Sequence, residues 1–454
     1  MATDHDTTAL VIGGGIAGLT AAIALRQRGI DSLVFEQADD LRKTQVGSGL
    51  ALGYNVTRAL RHLDLLDELA PRGARLTGLR FMTAKGRDLG TASEVEGEMA
   101  LGILRPAIHH FLVDTVGQDG IQLGAKLERF EQDSSGVLAH FADGRTARGD
   151  VLVGADGLRS TVRRQLLDDA SEPRYAGYVT RRGILKTEST EESPEQIFLG
   201  RGQRFLYYHV GQGYIYWTAA TNEPAGQKED GATIKRTVLE RFGDWHESVP
   251  ALVEATDESD TFIADTYDRD PVERWGDGRA TLMGDAAHPM TWDRGQGASQ
   301  CIEDAVLLAQ HLADAQGDDP VAALRTWEAQ RIPRTAQVVR SSRRLGMLQQ
   351  SPNPLAGFLH HRIIGFQTKP AQFARATRNL LVDYGERPIG AAKTAAPLLG
   401  ALVSESLTGD ELLSLPLPDG YFGAFLAVAV VAKFLARILP ARRSGRLKAL
   451  DTPA

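Results

Sequence analysis

Gly13, Gly15 and Gly18 stand in GxGxxG spacing, directly after the apolar run at residues 9–12. In that spacing the first glycine permits a tight turn and the second lets the backbone approach a pyrophosphate. The third lets the following helix pack closely on its strand. The N–H groups that open the helix then face the phosphates, and the helix dipole adds to their attraction. Glu36 follows at the end of a second apolar run, residues 32–35, where a carboxylate can accept hydrogen bonds from an adenosine ribose. An acid there disfavours a 2′-phosphate, so the ligand expected at this end is FAD or NAD rather than NADP. A GxGxxG alone is also an ordinary glycine turn; the strand before it, the helix after it and the acid downstream favour the dinucleotide.

A second group begins with Gly284, Asp285 and His288, continues through Gly295, Gln296, Gly297 and Ala298, and ends on Glu303 and Asp304. Asp285 at a strand end can bind a sugar-like hydroxyl, and by itself is equally consistent with a helix N-cap. Residues 295–298 would present backbone N–H groups at a helix start, which suits the negative charge that grows on a flavin ring during reduction. Cys301 is the single cysteine, which excludes an intramolecular disulfide and a cysteine-based metal cage; no metal site is expected. Asp156-Gly157, taken alone, is a turn signal.

These residues need elements to position them. A strand at 9–12, a helix at 16–28 closed by Gly29, and a strand at 32–35 make a βαβ unit. Apolar runs at 151–154 and 280–284 each enter a Gly/Asp turn and then a helix, and they can join the same parallel sheet. Residues 175–275 are β-rich, with aromatic strands at 197–199, 204–210 and 214–221 and a hairpin turn at Gly211, Gln212 and Gly213. From Glu303 to about Gln350 the pattern is helical and broken at Ile332-Pro333, and residues 351–354 mark a boundary. The expected fold class is α/β: a Rossmann-like FAD-binding domain interleaved with an antiparallel-sheet substrate domain, followed by a helical C-terminal region. The expected boundaries are 7–174 and 276–350 for the first domain, 175–275 for the second and 351–454 for the helical region.

Composition narrows the functional classes. The chain has 454 residues, 43% hydrophobic and 24% charged, with a net charge of −7. It carries no basic footprint, so nucleic acid is not an expected partner. The polar, acidic first eight residues do not read as a leader, and the expected location is cytoplasmic. Near the end, the uncharged stretch 420–432 falls short of the ~20 apolar residues a spanning helix requires. Lys433 and Arg437 share one helical face and are followed by Arg442, Arg443 and Arg446. The expectation for 421–439 is either a helix lying in a membrane interface, making a peripheral contact, or one packed on the core or in a dimer.

With these residues in place, the chain resembles the FAD-dependent aromatic-hydroxylase-like monooxygenases, the group typified by para-hydroxybenzoate hydroxylase. Three signatures match in order: GxGxxG at 13–18, Gly154-Ala-Asp-Gly157 with Ser160 and Arg163, and Gly284-Asp285 with its GQG helix. Arg42, Gly47-Ser-Gly49, Asn55, Arg105, the strand at 214–217, and Trp327 to Arg331 with Arg334 add support, and the resemblance spans roughly residues 7 to 375. It implies that Gly13, Gly15, Gly18 and Glu36 hold the ADP half of FAD. Arg105 and Asp285 would contact the pyrophosphate and ribityl region, Gly297 and Ala298 the flavin ring, and Gly49 also belongs to the cofactor set. Asp156 resembles a motif that serves both FAD and NAD(P)H.

The implied activity uses NAD(P)H and O₂ to hydroxylate or epoxidise a hydrophobic small molecule through a flavin C4a-hydroperoxide; a reductase or dehydrogenase without oxygen insertion is the alternative. Arg182 and Tyr216 resemble positions treated as catalytic in some relatives; as bare residues they read as a solvated strand residue and a sheet-packing aromatic. The chain departs from the family pattern at Trp292 and Tyr54, where the family has prolines, and Trp292 is expected near the flavin.

Overall fold

Continuous apolar runs make buried strands, because a parallel sheet covered on both faces offers its strands no wet side. β1 (His5–Ile12) ends in such a run, residues 9–12, with Ala9, Leu10 and Val11 fully buried. The computed structural model describes residues 5–43, 48–169, 171–189, 192–315, 319–382 and 384. All of these belong to one compact unit, Met1–Ile389. The basic C-terminal segment at 421–439 lies outside the described residues.

From β1 the chain turns through the glycines into α1 (Ile16–Gln27) and returns in β2 (Ser32–Phe35), parallel to β1. It crosses to a second sheet through β3 (Gly49–Leu52), α2 (Tyr54–His62), the one-turn α3 (Leu66–Leu69), β4 (Ala74–Thr83), β5 (Asp88–Ser93) and β6 (Ala100–Leu104). Back in the first sheet come α4 (Arg105–Val116), β7 (Ile121–Gln122), β8 (Leu127–Gln132), β9 (Val137–Phe141), β10 (Thr146–Gly154) and α5 (Thr161–Leu167).

The second sheet then resumes with β11 (Arg174–Lys186), β12 (Ser193–Leu199), β13 (Gln203–His209) and β14 (Tyr214–Thr221). Between β13 and β14, Gly211, Gln212 and Gly213 all have positive φ, as a tight hairpin turn demands. Next come α6 (Gly231–Phe242), α7 (Ser248–Ala255) and β15 (Thr261–Asp268), and β16 (Ala280–Leu282) rejoins the first sheet. The described chain ends in α8 (Gly297–Asp314), α9 (Pro320–Gln349), α10 (Pro354–Gln367) and α11 (Pro370–Arg378).

The first sheet runs β7-β2-β1-β10-β9-β8, with β16 beside β10; β7, β2, β1, β10 and β16 pair in parallel. The second runs β15-β11-β14-β13-β12-β4-β6-β3, with β5 on β4, and is antiparallel except where β12 meets β4. Alternation splits its side chains between two faces. Phe198, Phe205 and Trp217 pack under Ile234, Val238 and Val253 of α6 and α7. Ile197, Leu206, Tyr208 and Tyr216 face the opposite way and form a separate cluster.

Two expectations are corrected. The second sheet is not confined to 175–275, because β4 pairs with β12 and brings β5, β6 and β3 with it. That pairing covers an edge of β12 that would otherwise expose unsatisfied backbone groups. The helical region does not break at Pro333: α9 runs through it from Pro320 to Gln349. Arg331 and Arg334, on either side of the proline, are tied to Glu303 of α8, which anchors the helix on both sides of the missing N–H.

Candidate active site

The glycine motifs converge because their strands share one register. Phe35, Ile12, Gly154 and Leu282 are neighbours across β2, β1, β10 and β16, so the turns that follow them line one edge of the sheet. Ligands of open α/β sheets bind outside this carboxyl edge. Gly13 has φ 111°, and a Cβ there would stand 2.5 Å from the Ala155 carbonyl oxygen. Gly18 closes on the same turn, where a Cβ would lie 2.0 Å from the Gly13 carbonyl oxygen. At Gly15 a Cβ would meet nothing within 4 Å, and no side chain caps α1 there. The first turn of α1 therefore faces open space with its N–H groups available.

Glu36 sits at the end of β2. Its carboxylate accepts from the Gly14 N–H at 2.7 Å and from the Ala38 N–H at 2.8 Å, which braces the glycine turn and leaves lone pairs for a ribose hydroxyl. His109 of α4 holds the turn from the other side, with Nε2 2.8 Å from the Gly14 carbonyl. Burial holds the His109 pKa down, so a neutral ring donating this proton is the fitting state.

At the far end of the edge, Gly284 turns with φ 58° and Asp285 follows. Asp285 is accessible to solvent although protein surrounds it, as a side chain on the wall of a deep cleft is. That enclosure pushes its carboxyl pKa up, against the opposing charges of His288 and Arg105. Arg105, exposed at the start of α4, has no ion pair among the described residues. Gly297 opens α8, again with no side-chain cap and nothing within 4 Å of a Cβ, and Ala298 beside it is half-buried. Two uncapped helix starts, a surplus arginine and an acid at the end of β2 are the donor and acceptor set that an extended dinucleotide carrying a flavin requires, so the residues fit FAD.

Behind this cleft lies a buried polar lattice. Arg331 donates to Glu303 at 3.0 Å, to Asp304 at 2.6 Å and to Gln300 at 2.9 Å. Asn55 of α2 donates to Glu303 at 2.6 Å and to Gln296 at 3.0 Å, while His288 and the Gly284 N–H both bond Asp304. Burial alone would raise the Asp304 pKa, but the charges of His288 and Arg331 hold it below the usual carboxylate range. Asn55, Arg331 and Arg334, which enter the sequence comparison only as supporting matches, are thus the frame that fixes α8 and the Gly284 turn.

Asp156 behaves as the turn residue its bare sequence reads as. It accepts from the Ser160 hydroxyl and from the N–H groups of Thr161 at 2.7 Å and Val162 at 3.2 Å, capping α5. Gly49 begins β3 flat against an aromatic ring: a Cβ there would stand 2.5 Å from Tyr216. Gly49 and Tyr216, assigned to different roles from sequence, are therefore in contact. Tyr216 is 5% exposed, and its hydroxyl lies 3.3 Å from that of Thr218. Arg182 pairs in register with Thr218, two residues from Tyr216 on the same face; it donates to Thr180 and lies over the Phe262 ring.

Sequence reasoning missed the group that ties the second sheet to the turn that opens α8. Arg204 of β13 is buried, pairs with Asp293 and Gln349, and stacks 3.9 Å from the centre of the Trp292 ring. The Tyr178 hydroxyl donates to Asp293 at 2.7 Å. Gly346 of α9 gives Asp293 room, since a Cβ there would stand 2.5 Å from its carboxylate. Arg204 falls on the same strand alternation as Leu206 and Tyr208, and a charge on that core-facing row is the signal that could have exposed it. Trp292 stands immediately before Asp293 and the GQG turn, held by Arg204 and edge-on to Tyr178.

The fold and cleft are those of an FAD-binding protein, and comparison with known proteins agrees. A family model described as an FAD binding domain matches residues 6–342. The aurachin C monooxygenase/isomerase of Stigmatella aurantiaca is 38% identical over 379 residues, covering 82% of this chain and 97% of that enzyme. The 3-amino-4-hydroxybenzoate 2-monooxygenase of Streptomyces cremeus is also 38% identical, over 75% of this chain and 87% of its own. Among solved structures, Klebsiella pneumoniae HpxO complexed with FAD and uric acid superposes with a TM-score of 0.75 at 30% identity, covering 82% of this chain and 95% of that one. The chain belongs to this family of FAD-binding monooxygenases. It is a flavoprotein monooxygenase.

Proposed function

We propose that this enzyme uses NAD(P)H and O₂ to hydroxylate or epoxidise a hydrophobic, ring-bearing small molecule. The observation that carries the reading is the placement of the Tyr208–Tyr216 face of the second sheet beside Gly49, with the Arg204–Asp293 pair linking that sheet to the turn that opens α8. An apolar, aromatic face next to an uncapped helix start suits oxygen insertion into a greasy ring, because such a face keeps the reacting centre dry. One relative named above acts by its name on 3-amino-4-hydroxybenzoate, and the HpxO structure holds uric acid, ring compounds that agree with such a wall.

Bound FAD would supply the redox chemistry, accepting a hydride from NAD(P)H and passing one oxygen atom from O₂ to the substrate. The chain's own residues bind and orient. Gly13, Gly15 and Gly18 open the first turn of α1 to the pyrophosphate, with Arg105 adding positive charge, and Glu36 accepts from the ribose. Asp285 binds the ribityl hydroxyls, and the N–H groups of Gly297 and Ala298 stabilise negative charge on the ring. Asp156 contributes through the α5 turn that it caps. Arg182 and Tyr216 orient the substrate from the second sheet. Small-molecule substrate, O₂ and NAD(P)H complete the set; among the described residues no helix is long and apolar enough to cross a membrane.

Oxidation of NADH and of NADPH by the FAD-loaded protein, measured with and without a panel of aromatic compounds, tests this reading. A monooxygenase shows substrate-accelerated consumption coupled to oxygenated product. Tyr216→Phe should keep its FAD and divert part of that consumption to peroxide. Reduced flavin with no oxygenated product from any compound would instead favour a reductase.

A further inference from the structure

One strand of the second sheet carries an acid that nothing above uses. Glu195 lies in β12, on the face shared by Ile197 and Leu199, which is the face clustered with Tyr208 and Tyr216. Its register partner on β4 is Leu79. On β13 it stands one step beyond the Gln196–Tyr207 pair, beside Tyr208. Tyr208 pairs with Tyr216, and Tyr216 with Ile184. The row across this face therefore reads Leu79, Glu195, Tyr208, Tyr216, Ile184: one carboxylate among apolar and aromatic side chains.

The Glu195 carboxylate has no hydrogen bond or ion pair to the described residues. Arg182, on the same face, donates to Thr180 and covers Phe262 instead. Glu195 is partly accessible although protein surrounds it, as a side chain lining an internal space is, and burial alone lifts its pKa to about 7. A carboxylate kept without a partner in such surroundings is costly, and a donor brought by a ligand removes that cost. Tyr208 and Tyr216 meet edge to face with centroids 5.5 Å apart, so the acid borders an aromatic wall rather than a polar surface.

We propose that Glu195 is the polar anchor of the substrate site, its carboxylate accepting a hydrogen bond from an O–H or N–H group of an otherwise apolar aromatic substrate lying against Tyr208 and Tyr216. The assignment rests on the function proposed above and narrows its substrate to a class. Phenols and ring N–H heterocycles fit. An anionic group at that end of the molecule does not, because two like charges in a poorly solvated chamber repel. Glu195 thus sets specificity by what it rewards and by what it rejects.

The test is calorimetric binding to the FAD-loaded protein of naphthol and its methyl ether, indole and N-methylindole, and naphthoate. Wild type should bind at least one donor-bearing compound about tenfold or more tighter than its capped partner, in keeping with a charged hydrogen bond. Glu195→Leu should bind the capped compounds at least as well and prefer neither member of a pair. Glu195→Gln, which keeps its shape and an acceptor oxygen, should keep part of the preference and bind naphthoate more tightly than wild type does. A wild type with no donor preference in either pair, or a preference that survives in both variants, overturns the assignment. FAD content and NAD(P)H-driven reduction are read on the same samples. Intact flavin chemistry without a donor preference removes only Glu195, whereas loss of flavin chemistry in wild type removes the function itself.

Discussion

At the scale of single residues, the glycine motif and Glu36 were legible because their chemistry is local: a turn, a helix start and an acid one strand away. The structure adds that Glu36 also braces the turn through the Gly14 and Ala38 N–H groups. Glu36→Ala should therefore weaken FAD by about 1–3 kcal/mol, the cost of unpairing buried donors. Glu36→Gln, which retains an acceptor oxygen, should lose less, and flavin fluorescence released on dilution measures both. Equal FAD affinity in wild type and Glu36→Ala would remove the acid from the site.

His360 was not legible at all, since a histidine in a helix gives no sign of its depth. It is buried in α10, and that burial, with His361 and Arg204 nearby, lowers its pKa to about 4. The unfolded chain, with a histidine pKa of about 6.5, then binds the proton more readily than the folded one. Stability is therefore full above about 6.5 and falls as pH drops towards 4, by about 2 kcal/mol at pH ~5. His360→Gln should lose less thermal stability than wild type between pH ~7 and pH ~5. An equal loss in both would show that the ring does not titrate in this range.

At the scale of elements, sequence reasoning found the strands that end in glycine turns, because continuous apolar runs and glycine punctuation are strong signals. It confined the second sheet to 175–275 because strand pairing between β4 and β12 has no local signature. It broke α9 at Pro333 because the ties that hold the helix come from α8. That Arg204, Asp293, Tyr178 and Trp292 meet had no local signature for the same reason, because they come from strands and a turn far apart in the chain.

The glycines of α1 separate fold from ligand. Gly18→Ala places a methyl 2.0 Å from the Gly13 carbonyl oxygen, so α1 must shift and both stability and FAD content should fall. Gly15→Ala adds its methyl to open space at an ordinary φ of −78°. The apoprotein's unfolding free energy should change by no more than about 0.5 kcal/mol. FAD content should nevertheless fall, because the methyl occupies the approach to the helix start. Thermal unfolding of the apoproteins, set beside flavin content, checks the split; full flavin in the Gly15→Ala variant would place the pyrophosphate elsewhere.

At the scale of the whole molecule, residues 13, 154 and 284 meet because three distant segments share one parallel register, while a second sheet inserted between them curls an aromatic face towards Gly49. The buried lattice of Glu303, Asp304 and Arg331 ties distant segments together, since α2, α8 and α9 all anchor in it. This architecture leaves a cleft at the sheet edge whose residues fit FAD, with an aromatic face of the second sheet beside Gly49, and the function proposed here is that oxygen passes from bound flavin to a ring held there. Incubation of the FAD-loaded protein with NAD(P)H, isotopically labelled dioxygen and the aromatic compound that most accelerates turnover tests this most directly. One labelled oxygen atom is expected in the product, the other leaving as water. Product without label, or NAD(P)H consumption that yields only labelled peroxide with every compound that binds, would contradict it.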